Sequence, residues 1–141
     1  MSIDYRQATK ADLYFLDELH TACMKDKVAL VYQWQPQLFR QTFNPQITQI
    51  ILIDDTKVGF LQFWRQKNEL YLGNLMVAPQ FQNRGIGTKV MQKILNYGRE
   101  QRMPIRLQVL IKNRAKKFYR RHGFSVIRKT KTHYIMMTQS F

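Results

Sequence analysis

The chain has 141 residues, one cysteine and a formal net charge of +14. That length suits one domain, residues 1–141, with a core of its own, and the lone Cys23 excludes an internal disulfide and fits a reducing, cytoplasmic compartment. No run of about 18 apolar residues occurs and Met1–Arg6 has no apolar signal core, so neither a membrane span nor a membrane partner is expected.

Ile3 to Gln7 alternates and predicts a short edge strand. Thr9 followed by Asp12 has the spacing of a helix N-cap, and Leu13, Leu16, Leu19, His20 and Cys23 then recur at helical spacing to about Met24. His20 on that face has two readings, a substrate contact or a packed histidine. Cys23 in a helical pattern reads as inert packing rather than as a nucleophile. Pro36 is placed to open a second helix running through Phe43.

From Gln46 the pattern changes to strands. Gln46–Asp54, Val58–Arg65 and Glu69–Val77 are apolar and rich in β-branched and aromatic residues, with turns at 54–57 and 66–68, and Pro79 ends the third because proline cannot donate to a ladder. Val90, Met91, Ile94, Leu95 and Gly98 mark an amphipathic helix within Lys89–Arg102. Ile105–Ile111 is a further strand, and Asn113 is placed to cap a short helix that Gly123 ends in a left-handed turn. Phe124–Arg128 and His133–Thr138 form a last antiparallel pair.

Charge is lopsided along this order. Residues 1–55 hold five Lys/Arg against seven Asp/Glu, and residues 56–141 hold eighteen against two. A basic half of this kind suits a polyanionic partner, or is simply a solvated face.

The stretch Gln82-Asn83-Arg84-Gly85-Ile86-Gly87-Thr88 lies between a strand and an amphipathic helix. Strand, glycine turn and helix is the arrangement in which backbone N–H groups converge on an anion, because the first N–H groups of a helix have no partner within it. An ordinary tight turn is the plainer reading. The dinucleotide fingerprint fails, since its third glycine would fall on Val90 and no acid follows some twenty residues on. The Walker pattern fails too, since Gln82 stands where its first glycine is needed.

Gln82-Asn83-Arg84-Gly85-Ile86-Gly87 resembles the acyl-CoA-binding motif of the GNAT (GCN5-related N-acetyltransferase) superfamily. Leu75–Pro79 resembles that family's fourth strand. Val109–Asn113 and Ala115–Phe124 resemble its fifth strand, next helix and terminal strand, in the family's order. The resemblance covers residues 47–130 well and the first forty-odd weakly. It implies a single-domain α/β (α+β) fold, a mixed and mostly antiparallel sheet of about six to seven strands flanked by about four helices. It also implies transfer of an acetyl group from acetyl-CoA to a primary amine by direct attack, with no metal. The acceptor, a small molecule or a peptide, is not readable, and a homodimer is a further possibility that the resemblance raises.

The resemblance also distributes roles. Leu75, Met76 and Val77 would offer main-chain groups to the cofactor's pantetheine arm, in a gap where a bulge splays strands four and five. Gln82, Asn83, Arg84, Gly85, Ile86, Gly87 and Thr88 would hold its diphosphate, and Asn113 would contact the arm, cap a helix, or both. Tyr119 matches the family tyrosine in Phe118-Tyr119-x-x-x-Gly123-Phe124 and is the expected general acid, since a phenol with pKa near 10 is protonated at neutral pH; packing of a short helix is its other reading. Tyr32, Trp34, Gln35 and Phe39 lie in the segment that walls the family's acceptor site, and would otherwise pack the helix pair onto the sheet. Gly73 departs from the family, standing where many members carry an acid. Glu69, on the same strand with side chains alternating to one face at 69, 71 and 73, is the remaining carboxylate for a water-mediated base, unless it sits exposed in its turn.

A non-catalytic module is the alternative: the same fold sensing acyl-CoA, or binding nucleic acid through its basic half. No nucleic-acid recognition pattern accompanies that charge, so nucleic acid is not the expected partner.

Overall fold

In the computed structural model, which describes residues 2–139, the alternating segments become seven strands: β1 (Asp4–Gln7), β2 (Thr48–Ile53), β3 (Thr56–Gln66), β4 (Glu69–Val77), β5 (Ile105–Leu110), β6 (Ser125–Lys129) and β7 (His133–Met137). Four α-helices flank them: α1 (Leu13–Ala29), α2 (Leu38–Gln41), α3 (Ile86–Gln101) and α4 (Ala115–Arg121). One sheet runs in the order β1-β2-β3-β4-β5-β7-β6. All neighbours are antiparallel except β4 and β5, which are joined through the α3 crossover. The mixed, mostly antiparallel sheet is therefore as expected from the sequence.

Local chemistry explains the turns. Asp54 and Asp55 both take left-handed φ, 49° and 62°, the geometry that matches a two-residue hairpin to the twist of its strands and that aspartate tolerates. Thr9 and Asp12 form a reciprocal capping box. The Asp12 carboxylate also takes two bonds from Arg6 and one from Lys57, each 2.9 Å, so the chain's start is pinned to the β2–β3 turn.

Three boundaries differ from the periodicity. Helix α1 continues past Met24 to Ala29, because no glycine or proline interrupts Lys25–Ala29. The second helix shrinks to Leu38–Gln41: Pro45 disfavours helical angles at Asn44, which is extended and caps the following turn through Oδ1 to the Gln46 N–H at 3.0 Å. Helix α3 starts at Ile86 rather than Lys89, directly after Gly85 at φ 81°.

Two cores cover the sheet's faces. On one, Val90, Met91, Ile94 and Leu95 of α3 pack on Leu61, Leu70, Leu72 and Leu107. On the other, Leu16 and Leu19 of α1 pack on Ile50, Phe60 and Met76. The unpaired ends of β4 and β5 lie between these layers.

Candidate active site

Strands β4 and β5 pair only at Leu70–Leu72 against Ile105–Leu107. The register between β3 and β4 slips at that point: Phe63 faces Leu72 and Gln62 faces Asn74, leaving Gly73 as an extra residue. Such a bulge bends its strand and raises local twist, which carries β4 away from β5. Past it, the Ala78 N–H bonds the Val58 carbonyl at 2.8 Å. This makes Gly59/Val77 and Leu61/Leu75 the non-hydrogen-bonded pairs of the β3–β4 ladder. The main-chain groups of Leu75 and Val77 therefore turn toward the gap, and those of Met76 belong to the ladder with β3. The Val77 carbonyl is already occupied, accepting from Gln82 Nε2 at 2.8 Å. A cavity of about 820 Å³ fills the gap and opens toward α1 and α2.

The glycine turn closes one end. The Lys89 N–H to the Gly85 carbonyl, 3.1 Å, is the first bond of α3. The N–H groups of Gly85, Ile86, Gly87 and Thr88 precede it and have no partner among the described residues. Gly85 is needed for its left-handed angle, but Gly87 is not needed for the fold. A Cβ there would meet the Phe118 ring at an ordinary 3.6 Å. Asn83 is left-handed at φ 64° and exposed, and the guanidinium of exposed Arg84 lies 5.6 Å from the Phe81 ring.

Tyr119 and Asn113 line the opposite wall. The end of α4 positions the tyrosine: Gly123 at φ 91° lets the Phe124 N–H reach back to the Tyr119 carbonyl at 3.1 Å, and the two rings meet edge-on at 5.8 Å. Burial pushes the Tyr119 phenol up to about 12. Asn113 Oδ1 caps α4 by accepting from the Ala115 N–H at 2.9 Å; its amide nitrogen has no partner among the described residues.

All four residues of the expected acceptor wall, Tyr32, Trp34, Gln35 and Phe39, line the same cavity. His20 joins them, stacked on Phe39 at 4.4 Å and on Trp34 at 5.7 Å. Its buried Nδ1 has no hydrogen-bond partner among the described residues, and burial lowers its pKa to about 4, so it is neutral at physiological pH. Tyr32 Oη donates to Thr132 Oγ1 at 2.8 Å, which lies 2.8 Å from His133 Nδ1. This chain of contacts ties the α1–α2 connection to the β6–β7 turn.

Gly73 has a packing reason to be glycine. The Trp64 indole, stacked on Tyr71 at 4.8 Å, covers it so closely that a Cβ would stand 2.6 Å from a ring carbon. Glu69 is on the strand as expected but away from the cavity lining, where its Oε1 accepts from Arg106 Nε at 2.9 Å. The structure thus gathers Tyr119, Asn113, Gln82, Leu75, Val77 and the aromatic wall, and leaves Glu69 outside. Sequence reasoning missed Thr48, Gln62 and Asn74, a polar row crossing β2, β3 and β4. Their signal was a polar residue recurring inside apolar strand runs.

Comparison with known proteins agrees with this geometry. A family model described as an acetyltransferase (GNAT) domain matches residues 45–126. No curated protein matches the chain. Among solved structures, the PaiA N-acetyltransferase of Thermoplasma acidophilum in complex with coenzyme A superposes with a TM-score of 0.80 at 21% identity, over 99% of each chain. Naa50 of Arabidopsis thaliana in complex with the bisubstrate analogue CoA-Ac-MVNAL gives 0.71 at 19%, over 100% of each chain. The ribosomal-protein-S18-alanine N-acetyltransferase of Escherichia coli gives 0.72 at 15%, over 97% of this chain and 93% of that one.

Proposed function

Since the chain belongs to the GNAT acetyltransferase family, we propose that it transfers an acetyl group from acetyl-CoA to a primary amine by direct attack in a ternary complex. One observation carries this reading: the gap where β4 and β5 part beyond Leu72 and Leu107, bordered by outward-turned main-chain groups and ending at the open amides that head α3. An extended pantetheine arm matches such a gap as a strand would, and a diphosphate matches the helix end. Gly87 supports the fit, since packing leaves room for the Cβ that this residue lacks.

Bound there, acetyl-CoA supplies the activated thioester. The chain's own groups do the rest. Asn113 Nδ2 and the N–H groups of Leu75 and Val77 hold the arm, and the Val77 N–H is the donor nearest the loop for a developing oxyanion. Gln82 holds the loop against β4 through the Val77 carbonyl. Arg84 and the N–H groups of Gly85, Ile86, Gly87 and Thr88 bind the diphosphate. Tyr119 Oη keeps its proton at neutral pH and is the group that gives it up as the C–S bond breaks.

The acceptor enters on the side of His20, Trp34 and Phe39. Among the described residues no carboxylate lines the cavity, and Lys27 is the one Lys or Arg that does. Deprotonating a lysine-like amine at pH 7 takes about 4–5 kcal/mol, against about 1 kcal/mol for an α-amino group. A cavity without a carboxylate base favours the second, beside an apolar group that suits the aromatic wall; polycationic amines fit it poorly. Calorimetry with acetyl-CoA and a thiol-release assay across amines test the proposal. Absence of acetyl-CoA binding at tens of micromolar defeats it, and binding without release from any amine selects a non-catalytic acyl-CoA sensor instead.

A further inference from the structure

Thr48, Gln62 and Asn74 occupy one cross-strand row, since Thr48 pairs with Gln62 and Gln62 with Asn74. The row lies on the α1–α2 face, next to the row Ile50, Phe60 and Met76. Its hydrogen bonds run one way. Thr48 Oγ1, fully buried, donates its only proton to the Asn44 carbonyl at 2.7 Å. A carbonyl can only accept, so Thr48 Oγ1 must itself accept, and it does so from Gln62 Nε2 at 3.0 Å. That turns Gln62 Oε1 toward Asn74, whose Nδ2 donates to it at 2.6 Å. Asn74 Oδ1 is left over, without a donor among the described residues, on a side chain that lines the cavity one residue past the bulge. Reversing either amide would set oxygen against oxygen in a buried place, which costs about 1–3 kcal/mol.

We propose that Asn74 Oδ1 receives an N–H of the acceptor amine, and that Thr48 and Gln62 hold this oxygen, rather than the amide nitrogen, toward the cavity. The proposal rests on the acetyltransferase reading above and names the group that orients its nucleophile. An amide oxygen suits the task chemically. A carboxylate at the same place would favour the charged ammonium, which has no lone pair to attack with, whereas a neutral carbonyl takes the N–H with far less bias toward protonation. The site therefore takes a primary amine with one N–H to spare for Oδ1 and its lone pair aimed into the gap between β4 and β5.

Steady-state kinetics of the full chain test this, with acetyl-CoA and an unblocked tetrapeptide beginning in leucine as the probe, beside calorimetric acetyl-CoA binding and melting curves. Asn74→Ala is expected to raise the acceptor KM about tenfold or more, one lost hydrogen bond, and to leave the acetyl-CoA Kd within about twofold. Thr48→Val, which nearly conserves volume, frees Gln62 to rotate and is expected to raise the acceptor KM several-fold in the wild-type background and not at all in Asn74→Ala. An acceptor KM unchanged in Asn74→Ala, or a Thr48→Val effect that persists without Asn74, overturns the assignment while thiol release by the wild type still stands. Failure of the wild type to bind acetyl-CoA overturns the underlying reading and this one with it.

Discussion

The indole of Trp64 lies over Gly73 so closely that a Cβ added to the glycine would stand 2.6 Å from ring carbon Cζ3. Where the family resemblance led to the expectation of an acid, this chain holds an aromatic plate. Gly73→Glu is therefore expected to destabilise the fold by about 1–3 kcal/mol through overpacking, without raising turnover. Melting curves and thiol release measure the two effects. A Gly73→Glu variant that is as stable as the wild type and faster with a lysine-like amine would refute the packing account.

Tyr119 is expected to carry the leaving-group proton. Tyr119→Phe should lower kcat by about a hundredfold, within the range for a lost general acid, and leave the acetyl-CoA Kd unchanged. Because burial raises the phenol to about 12, its ionisation should produce no falling alkaline limb below about pH 11 in the wild-type kcat profile. A limb near pH 10 that vanishes in Tyr119→Phe would place the phenol in a more open setting than the structure has.

The two glycines of the anion turn should fail differently. Gly87→Ala adds only a Cβ, which has room against Phe118, so its melting temperature should stay close to wild type while acetyl-CoA binding weakens at least about tenfold. Gly85→Val must force a side chain into φ 81° and should lose about 1–2 kcal/mol of stability in addition to binding. Calorimetry beside thermal melts separates them.

Acid stability should fall in two steps. His20 is depressed in the folded protein to about 4 from an ordinary value of 6.5, so the unfolded chain binds its proton first and stability declines as pH falls from about 6.5 to 4. Asp12, held low chiefly by the Arg6 guanidinium, contributes stability that is complete above its ordinary value and lost as pH falls below it. Denaturant titrations should show His20→Phe flattening the first window and Asp12→Asn the second. Identical slopes in wild type and variants would remove both assignments.

Much of the frame was legible because it is locally encoded. Alternation marked the strands, Pro79 marked the end of one, and the glycine turn marked the approach to α3 but not its head at Ile86. Asn113 and Gly123 were readable as the two ends of α4 and hold those places. The gap itself was not derivable from this sequence alone, since it depends on where pairing with β5 stops and on a one-residue slip against β3. The Trp64 plate over Gly73 needs the same register. Tyr32 and Thr132 meet across a hundred residues, which no window on the chain spans. The second helix was overestimated because Pro36 was weighed as a start while Asn44-Pro45 was not weighed as a stop.

The reverse turn after α4 has a consequence for how damage spreads. Gly123 touches no part of the cavity, and a methyl group there would meet nothing within 4 Å. Yet its left-handed bend sets the angle at which Phe124 props the phenol ring. Any larger residue would tilt that prop by straining the backbone beneath it. A map of inactivating changes should therefore reach into positions no ligand visits, following the carpentry of the bend rather than the outline of the hollow.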